Sequence, residues 1–135
     1  MSLIIAAGLA FVCTPISVWD GDGPIWCAEG PRIRLSGIAA REIDETCKPN
    51  QPCPDASGHV ARDYLVRLLG GSKGQTADGH IKVSGVRLTC VSFGNGKGSR
   101  TAALCSLGRK DLSCAMVESG MALRWRRYGG DKICT

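Results

Sequence analysis

The sequence predicts a mainly β domain with two or three helices, an α+β fold in which five strands close into a Greek-key barrel. Short apolar stretches alternate with clusters of Gly, Pro and Asp, two stretches carry apolar residues at helical spacing, and the order runs three strands, helix, two strands, helix. At 135 residues the chain has the size of one domain, spanning 1–135, with no room for a second core. Its 44% hydrophobic and 21% charged residues exclude a disordered chain.

Leu9 to Trp19 is β-branched, aromatic or small and reads as the first strand, turned by Asp20-Gly21-Asp22-Gly23-Pro24. Ile25 to Ala28 forms the second. After Glu29-Gly30-Pro31 the alternation of Arg32-Ile33-Arg34-Leu35 gives a half-buried third strand, and a meander is complete by Ile38. Residues 43–55 hold Cys47, Cys53 and three prolines, which forbid regular structure. A helix then starts from Asp55 or Ser57 as N-cap. It carries Val60, Ala61, Tyr64, Leu65, Leu68 and Leu69 on one face and stops at Gly70-Gly71. Ser72 to Gly79 is a polar linker. Ile81 to Phe93 and Arg100 to Leu107 pair as a hairpin around Gly94-Asn95-Gly96-Lys97-Gly98, a turn without phosphate-loop spacing. A second helix spans Asp111 to Ser119, with Leu112, Ala115 and Met116 on one face and Gly120 at its end. This element order is that of the oligonucleotide-binding (OB) fold.

Eight cysteines point to disulfides formed in an oxidising compartment, periplasmic or extracellular. Zinc is disfavoured, because no Cys-x-x-Cys pair occurs and His59 and His80, read as surface residues, stand in no ligand-like spacing. Cys90 and Cys105 lie symmetrically about the last hairpin turn, and Cys13 and Cys27 flank the first in nearly the same way. Sequential pairing follows: Cys13 with Cys27, Cys47 with Cys53, Cys90 with Cys105, and Cys114 with Cys134. Residues 1–8 are apolar but lack a preceding positive charge, so they read as a leader remnant or cloning scar running into the first strand. No stretch is long and apolar enough for a membrane helix.

The formal net charge of +5 favours a polyanionic partner. Within the predicted elements, Val18-Trp19-Asp20-Gly21-Asp22, Ile33-Arg34-Leu35-Ser36-Gly37-Ile38, Gly98-Ser99-Arg100-Thr101-Ala102 and Asp111-Leu112 with Met116 to Ala122 resemble the staphylococcal nuclease (thermonuclease) family in order and spacing. The resemblance covers residues 14–128. It implies a monomeric nuclease that hydrolyses DNA or RNA with calcium, needing neither membrane nor protein partner. Asp22 matches a calcium-binding aspartate, Arg34 and Arg100 the arginines that grip the scissile phosphate, and Glu42 the glutamate that activates water. Tyr128 falls where a tyrosine packs by the nucleotide, and Arg126 is assigned to the same nucleotide-binding stretch. That stretch, Arg124-Trp125-Arg126-Arg127-Tyr128, reads either as a single-strand binder or as a solvated tail. Trp19 and Trp26 read as barrel packing.

Two departures from the family stand out. Its Asp-(Thr or Ala)-Pro-Glu pattern is Ala39-Ala40-Arg41-Glu42 here, so a calcium-binding aspartate is missing at Ala39. Asp20 and Asp44 are the candidate replacements, Asp20 before Asp44 because it shares a turn with Asp22. Arg41, in place of proline, brings a positive charge toward the site. The family's long C-terminal helix has no counterpart after Tyr128, and the Cys114–Cys134 bridge substitutes for its anchoring. Beside the nuclease stand two further readings: a nucleic-acid-binding OB barrel with weakened catalysis and no competent metal site, and a disulfide-hardened interaction module.

Overall fold

The computed structural model describes residues 3–134. Ten strands and two α-helices follow one another as β1 (Ala10–Cys13), β2 (Pro15–Asp20), β3 (Gly23–Cys27), β4 (Arg32–Leu35), β5 (Ile38–Ala39), α1 (Gly58–Leu68), β6 (Ile81–Lys82), β7 (Leu88–Asn95), β8 (Thr101–Leu107), β9 (Lys110–Asp111), α2 (Leu112–Glu118) and β10 (Leu123–Arg124). Two short 3₁₀ turns, Arg126–Tyr128 and Gly130–Lys132, complete the chain.

The expected fold class holds at the level of a mainly β, α+β protein with two α-helices, but the main sheet has eight strands rather than five. Two of the expected strands are interrupted, and each interruption has a cause. The amide of Thr14 donates to Glu29 Oε1 at 2.7 Å and its hydroxyl to Glu29 Oε2 at 2.7 Å, and Pro15 has no amide to offer. The strand expected over Leu9 to Trp19 therefore breaks into β1 and β2. Gly85, at φ 100°, divides the stretch from Ile81 to Phe93 into β6 and β7 in the same way.

The strand path is β1-β7-β8-β4-β3-β2-β6, with β9 on the outer side of β8. Every neighbouring pair on it is antiparallel except β4 and β8, which run parallel with Ile33 beside Thr101 and Arg34 beside Ala102. Because β1 and β2 are separated only by Thr14 yet lie toward opposite ends of this path, one stretch of chain curls the sheet into a half-barrel. A separate two-stranded pair joins β5 to β10, with Ala39 opposite Leu123.

The hollow of the sheet is filled by Val18, Ile25, Ile33, Leu35, Leu88 and Ala103 from the strands and by Leu65, Leu69, Leu112 and Met116 from the helices, all fully buried. Each large side chain among them stabilises the fold by about 1.5–3 kcal/mol. Helix α1 is capped by Ser57, whose hydroxyl accepts from the Val60 amide at 3.0 Å, and α2 by Asp111, which accepts from the Cys114 amide at 2.8 Å. Four disulfides join Cys13–Cys27, Cys47–Cys53, Cys90–Cys105 and Cys114–Cys134. They suit an oxidising compartment, and no helix among the described residues is long and apolar enough to cross a membrane.

Met1 and Ser2, part of the stretch read as a leader remnant or scar, lie outside the described residues. The following stretch is tied to the sheet. The Ile5 amide donates to the buried Thr101 hydroxyl at 3.1 Å, the Ser92 hydroxyl donates to the Ile5 carbonyl at 2.7 Å, and the Gly8 amide donates to the Ser92 carbonyl at 2.8 Å.

Candidate functional site

The turn between β2 and β3 is built so that two carboxylates come together under cover. A Cβ on Gly21 would stand 2.7 Å from Ala61 Cβ of α1 and 2.9 Å from Ala40 Cβ, so only glycine lets the helix approach the turn this closely. As a result Asp20 and Asp22 are 4% and 6% exposed. The Asp22 amide donates to Asp20 Oδ1 at 3.2 Å, and the Ala40 amide donates to Asp22 Oδ2 at 3.3 Å. The chain after β5 is thereby pinned to the turn.

Glu42 is delivered from that following chain. Helix α1 begins against it, with Gly58 packed on the Glu42 carbonyl where no side chain would fit. The loop over residues 43–55 is folded back by its own polar groups. The Arg41 guanidinium donates from Nε and Nη2 to the Pro54 carbonyl at 3.1 and 2.8 Å and from Nη1 to the Glu45 carbonyl at 2.9 Å. Its charge is therefore spent on holding the loop, and Arg41 does not line the cleft as a replacement for proline was expected to. Gln51 Nε2 donates to the Ala40 carbonyl at 2.6 Å, and Lys48 Nζ lies 3.3 Å from Glu42 Oε1. Both residues sit between Cys47 and Cys53, so the disulfide loop presents them to the carboxylates. Asp44 is not part of this group, since it caps Thr46 at 2.6 and 3.0 Å on the exposed side of the loop.

Carboxylate oxygens of Asp20, Asp22 and Glu42 all lie within 4.8 Å of one another. Burial, then the charge and hydrogen bonding of Asp22, then those of Glu42 push the Asp20 carboxyl up to about 11. Three carboxyl groups this close together could hold a hard divalent cation. Ala39, fully buried in β5, contributes no side-chain oxygen.

The arginines face this group across a cleft of about 230 Å³, whose lining includes Asp20, Asp22, Glu42, Arg34, Arg100 and Tyr128. Arg34 Nη1 is 3.4 Å from Asp22 Oδ2, and its guanidinium lies 5.4 Å from the ring centre of Trp125. Trp125 meets Tyr128 edge to face at 4.8 Å, so an aromatic wall closes one side. Arg100 Nε donates to the Lys97 carbonyl at 3.2 Å. Arg126 does not line the cleft: it pairs with Asp131 at 3.2 Å on the exposed side of the tail. Arg124 donates to the Gly130 and Ile133 carbonyls at 2.8 Å, so the tail is a folded element.

Sequence reasoning missed Lys48 and Gln51 as cleft residues, and it misplaced three rings. Trp19 lines the cleft. His80 is not a surface residue, because its side chain is only 12% exposed and its ring packs 5.0 Å from Trp19 and 4.8 Å from Trp26. The two tryptophans flank the histidine on the outer side of the sheet instead of filling the hollow. The aromatic content of 124–128 signalled Trp125; nothing local to the sequence signals Lys48 or Gln51.

Fold and site together define a small, disulfide-bridged α+β protein whose cleft sets buried carboxylates against partly exposed arginines. Neither a protein-family model nor a curated protein matches the chain.

Proposed function

We propose that the protein is a calcium-assisted nuclease of the staphylococcal nuclease type, acting on DNA or RNA in the periplasm or outside the cell. The observation that carries this reading is the convergence of Asp20, Asp22, Glu42, Arg34 and Arg100, from segments far apart in the chain, on one cleft. The strand path supports an OB-like barrel for it. If β1 and β2 are counted as one bent strand, the order first-second-third-fifth-fourth-first emerges, with a parallel pair between third and fifth.

A phosphodiester is an anion that gains charge on its equatorial oxygens as it is attacked. Arg34 and Arg100 meet that charge with planar forks able to make paired hydrogen bonds. Glu42 accepts the proton of the attacking water, and Lys48 fixes its orientation through Oε1. Asp20 and Asp22 would hold the cation, which supplies Lewis-acid polarisation of the phosphoryl oxygen. Trp125 and Tyr128 offer the neighbouring base an aromatic edge.

A second reading, an OB barrel that binds nucleic acid with weakened catalysis, is favoured by two observations: Glu42 is engaged by Lys48, and Ala39 supplies no ligand. One experiment separates the two. The oxidised protein is incubated with single-stranded DNA and RNA, in calcium or in chelator, beside Glu42→Gln. Calcium-dependent cleavage that drops roughly 10²–10⁴-fold in the variant supports the nuclease. Salt-sensitive binding without cleavage under any divalent cation supports the weakened barrel, and an absence of both sinks the nucleic-acid reading.

A further inference from the structure

Outside the cleft, Arg32 is held over an aromatic ring and, among the described residues, makes no ion pair. Along β4 the buried Ile33 and Leu35 alternate with the half-buried Arg32 and Arg34, so the two arginines share the outer face. They stand two residues apart, about 6.6 Å along the strand. Trp26 of β3 is directly opposite Arg32, Ser17 of β2 opposite Trp26, and Lys82 of β6 opposite Ser17. On the other side of β4, the parallel register that sets Ile33 beside Thr101 puts Arg100 beside Arg32 when continued by one residue. Arg32 thus adjoins both phosphate-gripping arginines, one along its strand and one across the sheet.

The Arg32 guanidinium lies 4.0 Å from the centre of the Trp26 ring, and that ring packs against His80 at 4.8 Å. Stacking fixes the plane of the guanidinium while leaving its five N–H donors at the edge. Among the described residues no carboxylate or carbonyl accepts from them. Arg34 is partly neutralised by Asp22; Arg32 pairs with no carboxylate among the described residues. Three guanidinium groups held on neighbouring positions call for an anion with more than one charge, spaced along the face.

Resting on the nuclease-type reading of the cleft, we infer that Arg32, held on Trp26, binds the phosphate adjacent to the scissile one in a single-stranded nucleic acid. The step from Arg34 to Arg32 along β4 is of the order of the step between successive phosphates in an extended strand. The ligand is therefore a run of two phosphates, one at Arg34 and Arg100 and the next at Arg32, and a substrate with a single phosphate uses only half of the face. Lys82, at the far end of the row, extends the same positive track.

The test uses the full oxidised chain carrying Glu42→Gln, so that binding is read without cleavage, with calcium present. Fluorescence anisotropy is measured for labelled thymidine oligonucleotides with one and with two internucleotide phosphates, over a series of salt concentrations. The two-phosphate ligand is expected to bind roughly 10-fold more tightly, the order of one charge-assisted contact. Adding Arg32→Ala should abolish that difference and reduce the salt slope by ~0.7 for the longer ligand, with binding of the shorter one unchanged. Arg32→Lys should recover the slope but not the affinity, because a lysine cannot present a stacked fork. Trp26→Leu should lower the preference for two phosphates while leaving Arg32 in place.

Should Arg32→Ala not fold, Arg32→Gln keeps the stem and serves the same comparison. A variant that keeps the full preference for two phosphates overturns the Arg32 subsite and leaves the cleft reading intact. A parent that binds neither oligonucleotide overturns the cleft reading, and the subsite with it.

Discussion

The two sides of the cleft solve opposite problems. The carboxylate side is buried: Asp20 and Asp22 sit beneath α1 on a turn that admits no side chain at Gly21, and their carboxyl groups lie close together. The arginine side is partly open, with the Arg34 guanidinium held near the Trp125 ring. Stacking positions a cation without stripping it of water, whereas burial concentrates anions at a cost that only a proton or a cation removes. One side is poised to bind without moving. The other is relieved by the proton that the Asp20 carboxyl retains and by the Arg34–Asp22 ion pair.

That contrast can be broken from either side. The largest effect belongs to the arginines: Arg34→Ala or Arg100→Ala should cut turnover on single-stranded DNA by roughly 10²–10³-fold, Arg100→Ala with little change in melting temperature because its side chain reaches solvent, and Arg34→Ala with a lower one because buried Asp22 loses its ion pair. A loss of folding instead would place them in the structural framework. Asp20→Asn comes next and should separate stability from binding. Calcium affinity, read by calorimetry, should fall at least ~10-fold, while the chelated protein melts higher than the parent at neutral pH.

The sign of the second effect follows from the raised Asp20 carboxyl. With an ordinary value of 3.8 and a folded-state value of about 11, the unfolded chain releases a proton that the folded chain retains. Stability is therefore fully present below 3.8 and declines as pH rises toward 11. Asparagine removes this decline. A chelated Asp20→Asn protein no more stable than the parent at neutral pH would show that the carboxylates are not in conflict.

Gly21→Ala tests the cover itself. Its new methyl meets Ala61 and Ala40 at 2.7 and 2.9 Å, so chemical denaturation should show a loss of about 1–3 kcal/mol. The smallest expected effect lies at the far end of the aromatic face. Burial first, and then Arg32 and Arg62, hold the His80 imidazole below its usual 6.5, with Asp78 opposing them. Stability should be full above 6.5 and decline as the pH falls below it, and His80→Gln should flatten that limb. An unchanged limb would assign the acid sensitivity to another group.

How far the sequence revealed these two sides depends on how local their determinants are. The last hairpin was legible because Cys90 and Cys105 are equidistant from its turn, and in the structure they are directly opposed. Asp20 was named as the helper of Asp22 because the two share a turn, and their carboxylates do meet Glu42. The break at Thr14 was hidden because its cause, Glu29, is 15 residues away. Arg41 was misjudged for a similar reason, since its partners Glu45 and Pro54 lie in a loop whose path no periodicity encodes. Arg126 was assigned by its aromatic neighbours, while Asp131 took its charge. His80 looked like a surface histidine because the two rings that enclose it come from β2 and β3.

The bent first strand also sets an order of events for the newborn chain. Cys13 finds its strand partner at Leu88, and Ile33 finds its own at Thr101, so the curled sheet stays open until three quarters of the chain is available. The disulfides obey a different clock, spanning only 14, 6, 15 and 20 residues. Cys13–Cys27 and Cys47–Cys53 can be oxidised as their own short segments emerge, before Leu88 and Thr101 are available, whereas Cys90–Cys105 and Cys114–Cys134 come only after them. A half-oxidised but still unclosed intermediate is therefore the natural precursor of this fold, and pulse-labelling of free thiols during refolding should find Cys13–Cys27 and Cys47–Cys53 made before the amides of β1 are protected.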